Sequence, residues 1–305
     1  MRNTFVDTII AECSKRDDIF VISGDAGLGV FDRFKDEYPD RFLNMGVAEQ
    51  NMISFAAGLT LVGYKVILYN IIPFVLYRCY EQVRNDICYQ ELPIVLAGIG
   101  SGVTYAPMGM THYSVEDIGV AQTLPNLTVI SPIDPIEARL AAQYSLTADV
   151  PVYVRLAKRG EPNLHKTAEF DIMKPQLLVE GAGVAIVFHG SVGGEVLKAN
   201  DLLRDKGICP KIIAAPVVLP MDVSALFELL EGTRHVFIVE EHFQNSGLFD
   251  ILAREFARLF SDKMLHSVGI KDEFIHAIRD NAGMRDLFGL SAPSIARTVK
   301  AAVKC

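Results

Sequence analysis

The chain alternates short apolar segments with longer segments of helical period, and this alternation constrains its fold more than any other feature. In the first half the apolar segments lie at residues 19–22, 66–71, 94–99, 127–130 and 151–154. Three more follow at 184–188, 211–214 and 235–239, with helix-like segments at 195–205 and 225–230. Strands that alternate with helices are typical of parallel sheets.

The periodicity lapses between these two series, over the polar residues 158–175, which include Gly160 and Pro162. Such a composition is typical of a linker. We therefore expect an α/β protein of two consecutive domains, residues 1–170 and 171–305, each with a mainly parallel sheet flanked by helices.

Composition narrows the classes of function. The 305 residues include 37 acidic and 29 basic side chains, which gives a net charge of −8. General nucleic-acid binding is excluded, because it requires a surplus of cations to neutralise phosphates. Hydrophobic residues make up 50% of the chain, which fits strands buried on both faces or a large subunit interface.

The same sequence predicts a cytoplasmic protein without a membrane segment. No apolar run reaches the roughly 18 residues that indicate a membrane helix, and the first residues lack the apolar core of a secretory signal. The cysteines are odd in number and scattered, at Cys13, Cys79, Cys88, Cys209 and Cys305. Without a C-x-x-C motif they are typical of reduced thiols.

Two glycine clusters follow predicted strands. The first, Gly24, Gly27 and Gly29, is spaced G-x-x-G-x-G, the reverse of the dinucleotide-binding fingerprint. The second lies within residues 98–102. Each cluster fits a tight strand-to-helix turn, and each also fits a loop that lines a ligand crevice at the end of a parallel sheet.

A helix is predicted to open within residues 44–52, with Glu49 in its first turn, because Met52, Phe55, Ala56 and Leu59 recur at helical spacing. One interpretation is that the Glu49 carboxylate only complements the positive end of the helix dipole. The other is that apolar neighbours bury the carboxyl group, so that it shares a proton with a ligand nitrogen.

Six motifs across residues 20–160 match a known family in order and spacing. They are Gly46-Val47-Ala48-Glu49-Gln50-Asn51, Ala56-Ala57-Gly58-Leu59, Tyr80-Glu81-Gln82-Val83-Arg84, Thr111-His112 with Glu116-Asp117, Leu124-Pro125-Asn126, and Ser131-Pro132-x-Asp134. With these motifs the chain resembles the C-terminal half of a transketolase, a thiamine-diphosphate-dependent enzyme. The first unit resembles its pyrimidine-binding domain and the second, more loosely, its C-terminal domain.

The resemblance implies roles for residues at the cofactor. Glu49 would hydrogen-bond N1′ of the aminopyrimidine ring and thereby promote formation of the cofactor's ylid, and Gln50 would lie beside it. An aromatic side chain would stack on the pyrimidine, for which Phe74 is the best match and Tyr77 the competitor. Asp25 would lie near the cofactor and the subunit interface. For each aromatic residue, ordinary core packing is the alternative.

Further positions are implied to face the substrate. His112 would stabilise developing negative charge or transfer a proton. Met108 stands where the family has a sugar-binding aspartate, and Gly29 and Gly100 stand where it has groups that hold a sugar phosphate. The resemblance thus implies an unusual acceptor, such as a modified or non-phosphorylated sugar.

A basic group follows the predicted strand at 151–154. It consists of Arg155, Lys158 and Arg159. Arg159 is our candidate substrate-binding residue among them, because the group fits an anion site. A solvated basic cluster is the alternative.

The family's signature for the diphosphate and Mg²⁺, a G-D-G motif with a later asparagine, does not occur here, because Ala26 follows Gly24-Asp25. No residue of this chain is therefore expected to bind metal. The resemblance implies that a separate pyrophosphate-binding subunit holds Mg²⁺ and the diphosphate, in an α2β2 assembly with sites at subunit interfaces. Sugar substrates are the other implied partners.

Three other functions stay open. The chain could be the β subunit of a 2-oxo-acid dehydrogenase, although residues 46–51 and the Thr111-His112 motif argue against it. It could resemble deoxyxylulose-phosphate synthase, which would consume pyruvate and release CO₂. It could also be a non-catalytic scaffold, which Met108 supports and the presence of Glu49 and His112 opposes.

Overall fold

A computed structural model describes residues 1–158 and 160–303. The strands are β1 Ile19–Ser23, β2 Phe42–Asn44, β3 Lys65–Ile71, β4 Val95–Ile99, β5 Thr128–Ile130, β6 Val152–Leu156, β7 Gln176–Val179, β8 Gly183–Phe188, β9 Lys211–Ala214, β10 Val217–Leu219, β11 Thr233–Phe243 and β12 Met264–Ile270.

Helices cover the faces of the sheets. They are α1 Arg2–Cys13, α2 Asp32–Glu37, α3 Glu49–Leu61, α4 Tyr80–Gln82, α5 Asp117–Ala121, α6 Pro135–Thr147, α7 Gly193–Arg204, α8 Val223–Leu229, α9 Leu248–Arg258, α10 Asn281–Leu287 and α11 Ala292–Val303. Two π-helical turns, Pro73–Tyr77 and Val83–Cys88, flank α4. Short 3₁₀ turns lie at Pro39–Arg41, Ala106–Met108, Met110–His112 and Gly190–Val192.

The first sheet has the strand order β10-β5-β6-β4-β3-β1-β2 and is parallel except for β10. Its register aligns buried apolar side chains in rows across the strands, so that Ile22 pairs with Leu68, Leu68 with Leu96, and Leu96 with Tyr153. The five strands predicted for this half are confirmed as β1, β3, β4, β5 and β6. The three-residue β2 was not predicted, because periodicity cannot be recognised in so short a segment.

The second sheet has the order β12-β11-β8-β9-β7, in which only β7 is antiparallel to its neighbour. The predicted strands are confirmed as β8, β9 and β11, and the predicted helices as α7 and α8. The edge strands β7 and β12 were missed, because the apolar run of β7 is only three residues long and not fully buried, and His266 and Ser267 interrupt the apolar residues of β12.

The two units share one sheet, and a buried ion pair of the first unit also contacts the second unit. β10 pairs antiparallel with β5, so a strand from beyond residue 170 completes the first sheet. The Arg155 guanidinium is almost completely buried, and its Nε donates to Asp117 Oδ2 at 2.6 Å. Its Nη2 also donates to the carbonyl oxygen of Glu241 in the second unit. The prediction of Arg155 as part of an anion site is therefore wrong, because its charge is already neutralised inside the protein.

The segment between β6 and β7 has no helix or strand among its described residues, yet it is attached to the first unit. Asp134 Oδ1 caps α6 by accepting from the Glu137 N–H at 2.8 Å, and Oδ2 accepts from the N–H groups of Leu164 and His165. The Ser131-Pro132-x-Asp134 motif thus has a structural role here.

Within residues 1–158 and 160–303, no helix combines the length and apolar character needed to cross a membrane.

Candidate active site

A cleft of about 390 Å³ opens at the carboxyl ends of the parallel strands of the first sheet. It is lined by Arg2, Gly24, Asp25, Ala26, Gly27, Leu28, Val47, Glu49, Tyr69, Asn70, Ile71, Phe74, Arg78, Ile99 and Tyr105. Ligands of parallel α/β sheets bind at this edge, because the loops that follow the strands converge there. The cleft therefore brings together candidate residues that are far apart in the sequence.

Glu49 lies in the first turn of α3, as predicted, and its side chain is only 5% exposed. The buried face of the helix includes Met52, Ile53 and Ala56, whereas Phe55, predicted on that face, is 41% exposed. Among the described residues, no side chain caps the helix start. Glu49 therefore lies in the first turn, where the helix dipole favours a negative charge, and faces the cleft.

The Glu49 carboxylate has one side-chain partner among the described residues. Arg78 Nη1 donates to Glu49 Oε1 at 2.8 Å, and the Arg78 side chain is 46% exposed. The same guanidinium carbon lies 4.5 Å from the centre of the Phe74 ring. Arg78 was not predicted as a site residue, and its position four residues after Phe74 was the only available signal.

The two aromatic candidates lie on different sides of the π-helical turn Pro73–Tyr77. Phe74 lines the cleft. Tyr77 is not among the cleft residues, and its hydroxyl donates to Glu116 Oε2 at 3.2 Å. Burial, together with the nearby carboxylates, raises the pKa of Tyr77 well above its ordinary value. The geometry therefore favours Phe74 as the ring that stacks on a ligand in the cleft.

His112 ends the 3₁₀ turn Met110–His112 beside the cleft. Its ring contacts Phe74 edge-on, with centroids 5.4 Å apart, and its Nδ1 lies 2.9 Å from Thr111 Oγ1. Lys158 Nζ lies 4.6 Å from the centre of the Tyr105 ring, which also contacts His112. Burial lowers the pKa of His112, and the Lys158 charge lowers it further. The neutral imidazole is thereby favoured.

Asp25 and Gln50 occupy different environments. Asp25 lines the cleft in a left-handed conformation with φ of 53°, and its N–H donates to Asn44 Oδ1 at 3.0 Å. Gln50 is exposed and donates through Nε2 to the Arg78 carbonyl oxygen at 3.3 Å, so it contacts the backbone of a cleft residue. Asn70, missed by sequence reasoning, is buried at the cleft and donates to the Gly24 carbonyl oxygen.

None of the predicted substrate positions that the structure describes lines the cleft. Met108 is 55% exposed and is absent from the cleft lining, although it lies in the same loop as His112. Gly100 adopts a φ of +97°, and a Cβ there would collide with the Tyr105 ring, so glycine is required. Arg159 lies outside the described residues.

The cleft suits an uncharged, planar ring with a nitrogen donor. Glu49 supplies a buried acceptor, Phe74 an aromatic face, and Ile71 and Ile99 apolar walls. The residues therefore fit the pyrimidine end of thiamine diphosphate. Within the described parts of the chain, no group of three His, Cys, Asp or Glu side chains is arranged to hold a metal ion.

Comparison with known proteins identifies the family of both units. The family model described as transketolase, pyrimidine binding domain, matches residues 1–162, and the model described as transketolase, C-terminal domain, matches residues 174–295. The chain is 34% identical over 264 residues to one subunit of the apulose-4-phosphate transketolase of Actinobacillus succinogenes, covering 86% of this chain and 85% of that one.

Two further similarities extend over nearly the whole chain. It is 30% identical to the 6-deoxy-6-sulfo-D-fructose transketolase subunit SqwH of a Clostridium species, with 97% of this chain and 92% of the relative covered. A solved split-gene transketolase, described as an inactive beta4 tetramer, superposes with a TM-score of 0.90 at 27% identity over 99% of this chain and 98% of that one. The chain belongs to the thiamine-diphosphate-dependent transketolase family, with its pyrimidine-binding domain followed by its C-terminal domain.

Proposed function

We propose that this chain is the β-type subunit of a split transketolase, which moves a two-carbon ketol unit from a ketose to an aldehyde. The observation that carries the proposal is the cleft in which the buried Glu49 carboxylate and the Phe74 ring lie together. Its similarity to one subunit of a transketolase of Actinobacillus succinogenes and to a split-gene transketolase supports the proposal.

Thiamine diphosphate, when bound, supplies the nucleophilic carbon and the electron sink of such a reaction. Glu49 would accept a hydrogen bond from the pyrimidine ring and hold a proton at that nitrogen, and Phe74 would fix the plane of the ring. His112, kept neutral, would donate a hydrogen bond to oxygen atoms of the substrate on which negative charge develops. Asp25 and Gln50 would lie at the bound cofactor as further binding residues.

The proposal includes a second subunit. The described residues hold no metal cluster, and the cations that line the cleft are Arg2 and Arg78. We therefore assign Mg²⁺ and the diphosphate to a pyrophosphate-binding α subunit, in an α2β2 assembly. We place this assembly in the cytoplasm, and we keep residue 170 as the boundary between the two domains.

The substrate would be an unusual sugar. Met108 lies in the same loop as His112, at the position where the family has an aspartate that binds sugar hydroxyl groups. Its thioether cannot replace that carboxylate. Arg159 is proposed to contact the substrate from the loop after β6. Relatives named for apulose 4-phosphate and 6-deoxy-6-sulfo-D-fructose support a sugar other than a common pentose phosphate.

The assembled complex tests this function. With its pyrophosphate-domain partner, thiamine diphosphate and Mg²⁺, the wild-type chain should transfer two-carbon units between sugars without releasing CO₂. Glu49→Gln should reduce the rate by about 10²–10⁴-fold, the usual contribution of a proton-transferring group. The exposed Glu81→Gln variant is the matched control and should keep full activity.

Other outcomes would favour the alternatives. Consumption of pyruvate with release of CO₂ would indicate a deoxyxylulose-phosphate-synthase-like enzyme, and lipoyl-dependent oxidation of a 2-oxo acid would indicate the dehydrogenase. Unchanged activity of the complex that carries Glu49→Gln would indicate that this chain is a non-catalytic scaffold.

A further inference from the structure

Arg78 contacts the same two groups that the proposed function assigns to the cofactor's ring. Its Nη1 donates to Glu49 Oε1 at 2.8 Å, and its guanidinium carbon lies 4.5 Å from the centre of the Phe74 ring. A guanidinium group is planar, has donors along its edge and stacks on aromatic faces. An aminopyrimidine with a donor at its ring nitrogen shares these three properties.

We propose that Arg78 is a placeholder that fills the pyrimidine subsite of the free subunit, and that the aminopyrimidine of thiamine diphosphate binds by displacing it. This inference rests on the proposed function, because it requires that Glu49 and Phe74 receive the ring. The guanidinium would compete with the ring, since both need the face of Phe74 and the Glu49 carboxylate.

The free subunit has a physical reason to hold Arg78 there. The Glu49 carboxylate is 5% exposed, and a buried charge without a partner is strongly unfavourable. No other described side chain donates to it. Arg78 therefore stabilises the cleft of the free subunit until a ligand brings its own donor.

The Arg78 side chain is also free to leave without a change in the fold. It is 46% exposed, so it reaches water along one side. Its backbone is held independently, because the Arg78 N–H donates to the Pro73 carbonyl oxygen at 3.0 Å and its own carbonyl oxygen accepts from Gln50. Displacement therefore requires rotation about side-chain bonds alone.

Competition of this kind lowers the apparent affinity of the ligand by the fraction of molecules whose subsite is open. Removal of the guanidinium should then tighten binding. If Arg78 were instead a contact for the bound ring, its removal would weaken binding. The two possibilities therefore predict opposite changes in the affinity for the ligand when the guanidinium is removed.

The experiment titrates the aminopyrimidine half of the cofactor, 4-amino-5-hydroxymethyl-2-methylpyrimidine, into the full chain and follows binding by ligand-observed NMR. Arg78→Met removes the guanidinium and keeps an unbranched side chain, and we expect about tenfold tighter binding than in the wild type, as for a subsite open about a tenth of the time. Arg78→Lys keeps the charge without the planar group and should give an intermediate affinity. The exposed Arg84→Met variant is the matched control and should bind as the wild type does.

Equal, weaker or undetectable binding by Arg78→Met, with the Arg84→Met control intact, would overturn the proposal. Glu49→Gln in the Arg78→Met background separates this failure from failure of the proposed function. If that double variant binds the pyrimidine as tightly as Arg78→Met does, the ring does not bind at Glu49 and the proposed function loses its site. If it binds more weakly, the site stands and the sign of the Arg78→Met effect alone decides the role of Arg78.

Discussion

Each of the two sheets has a buried carboxylate near its carboxyl end, and the two carboxylates differ in role. Glu240, near the end of β11, is completely buried and accepts from the N–H groups of Leu248 and Phe249 at the start of α9, at 2.7 and 3.0 Å. Glu49, at the start of α3, is almost as buried but takes its side-chain hydrogen bond from the half-exposed Arg78.

The two carboxylates differ in the groups that donate hydrogen bonds to them. Glu240 is held by backbone donors and by His189, at 3.3 Å, all of which are fixed by the fold. Glu49 has a side-chain partner that a ligand can replace. Burial of a carboxylate therefore does not by itself indicate a binding site, whereas burial with an exchangeable partner does.

The buried ion pair between Asp117 and Arg155 should be the most sensitive point of the molecule. Asp117→Asn leaves the Arg155 charge buried without a counter-ion, and we expect the free energy of unfolding to fall by about 3–5 kcal/mol. Urea denaturation followed by circular dichroism measures this loss. The exposed Asp17→Asn variant should change stability by less than about 0.5 kcal/mol, and an equally small loss for Asp117→Asn would show that the pair does not stabilise the fold.

One substitution made at both carboxylates tests the comparison directly. Glu240→Gln loses charge-assisted hydrogen bonds from buried donors and should reduce the free energy of unfolding by about 2–4 kcal/mol. Glu49→Gln leaves Arg78 free to be solvated and should cost less than about 1 kcal/mol. Urea denaturation of both variants provides the measurement, and similar losses at the two positions would remove the distinction.

The shape of the cleft depends on a glycine. A Cβ at Gly24 would lie 2.5 Å from Asn70 Nδ2 and 3.3 Å from Met52 Sδ, so Gly24→Ala should destabilise the protein by about 1–3 kcal/mol. Gly58→Ala is the matched control, because Gly58 lies within α3 with no atom within 4 Å of an added Cβ. It should stabilise the helix by about 0.5–1 kcal/mol. Thermal unfolding should thus shift in opposite directions, and shifts of the same sign would contradict the packing around Gly24.

The smallest expected effect concerns His112. Because the Lys158 charge disfavours a second cation nearby, Lys158→Met should raise the pKa of His112, while the larger effect of burial persists. Titration of the His112 ring by NMR measures the change, with the exposed Lys166→Met as control. A lower or unchanged pKa in Lys158→Met would show that the ammonium group does not act on the imidazole.

Local patterns in the sequence predicted most of the strands and several of the helices. Apolar runs located the central strands, and helical spacing placed Glu49 in the first turn of α3, because both are properties of neighbouring residues. The pairing of β10 with β5 was not predictable in this way, since three-residue strands carry no periodicity and their partners are distant in the chain.

The site was predicted less completely than the fold, because it also depends on contacts between residues that are distant in the sequence. Motif positions brought Glu49, Phe74 and His112 into consideration, and the structure places them around one cleft. In the sequence, Arg155 and Arg78 are both arginines with no nearby residue that identifies a partner. In the structure, Arg155 neutralises Asp117, 38 residues away, whereas Arg78 contacts Glu49, 29 residues away. Which acid a given arginine meets depends on tertiary packing, which the sequence pattern does not contain.

The central claim is that Glu49 forms half of a cofactor site that a second subunit completes. The most direct test is a calorimetric titration of thiamine diphosphate with Mg²⁺ into this chain alone, into its complex with the pyrophosphate-domain subunit, and into the same complex carrying Glu49→Gln. We predict binding by the complex only, with one site per copy of this chain, and an affinity at least about tenfold weaker for Glu49→Gln, the loss of one charge-assisted hydrogen bond. Tight binding by the chain alone, or an unchanged affinity in the Glu49→Gln complex, would contradict it.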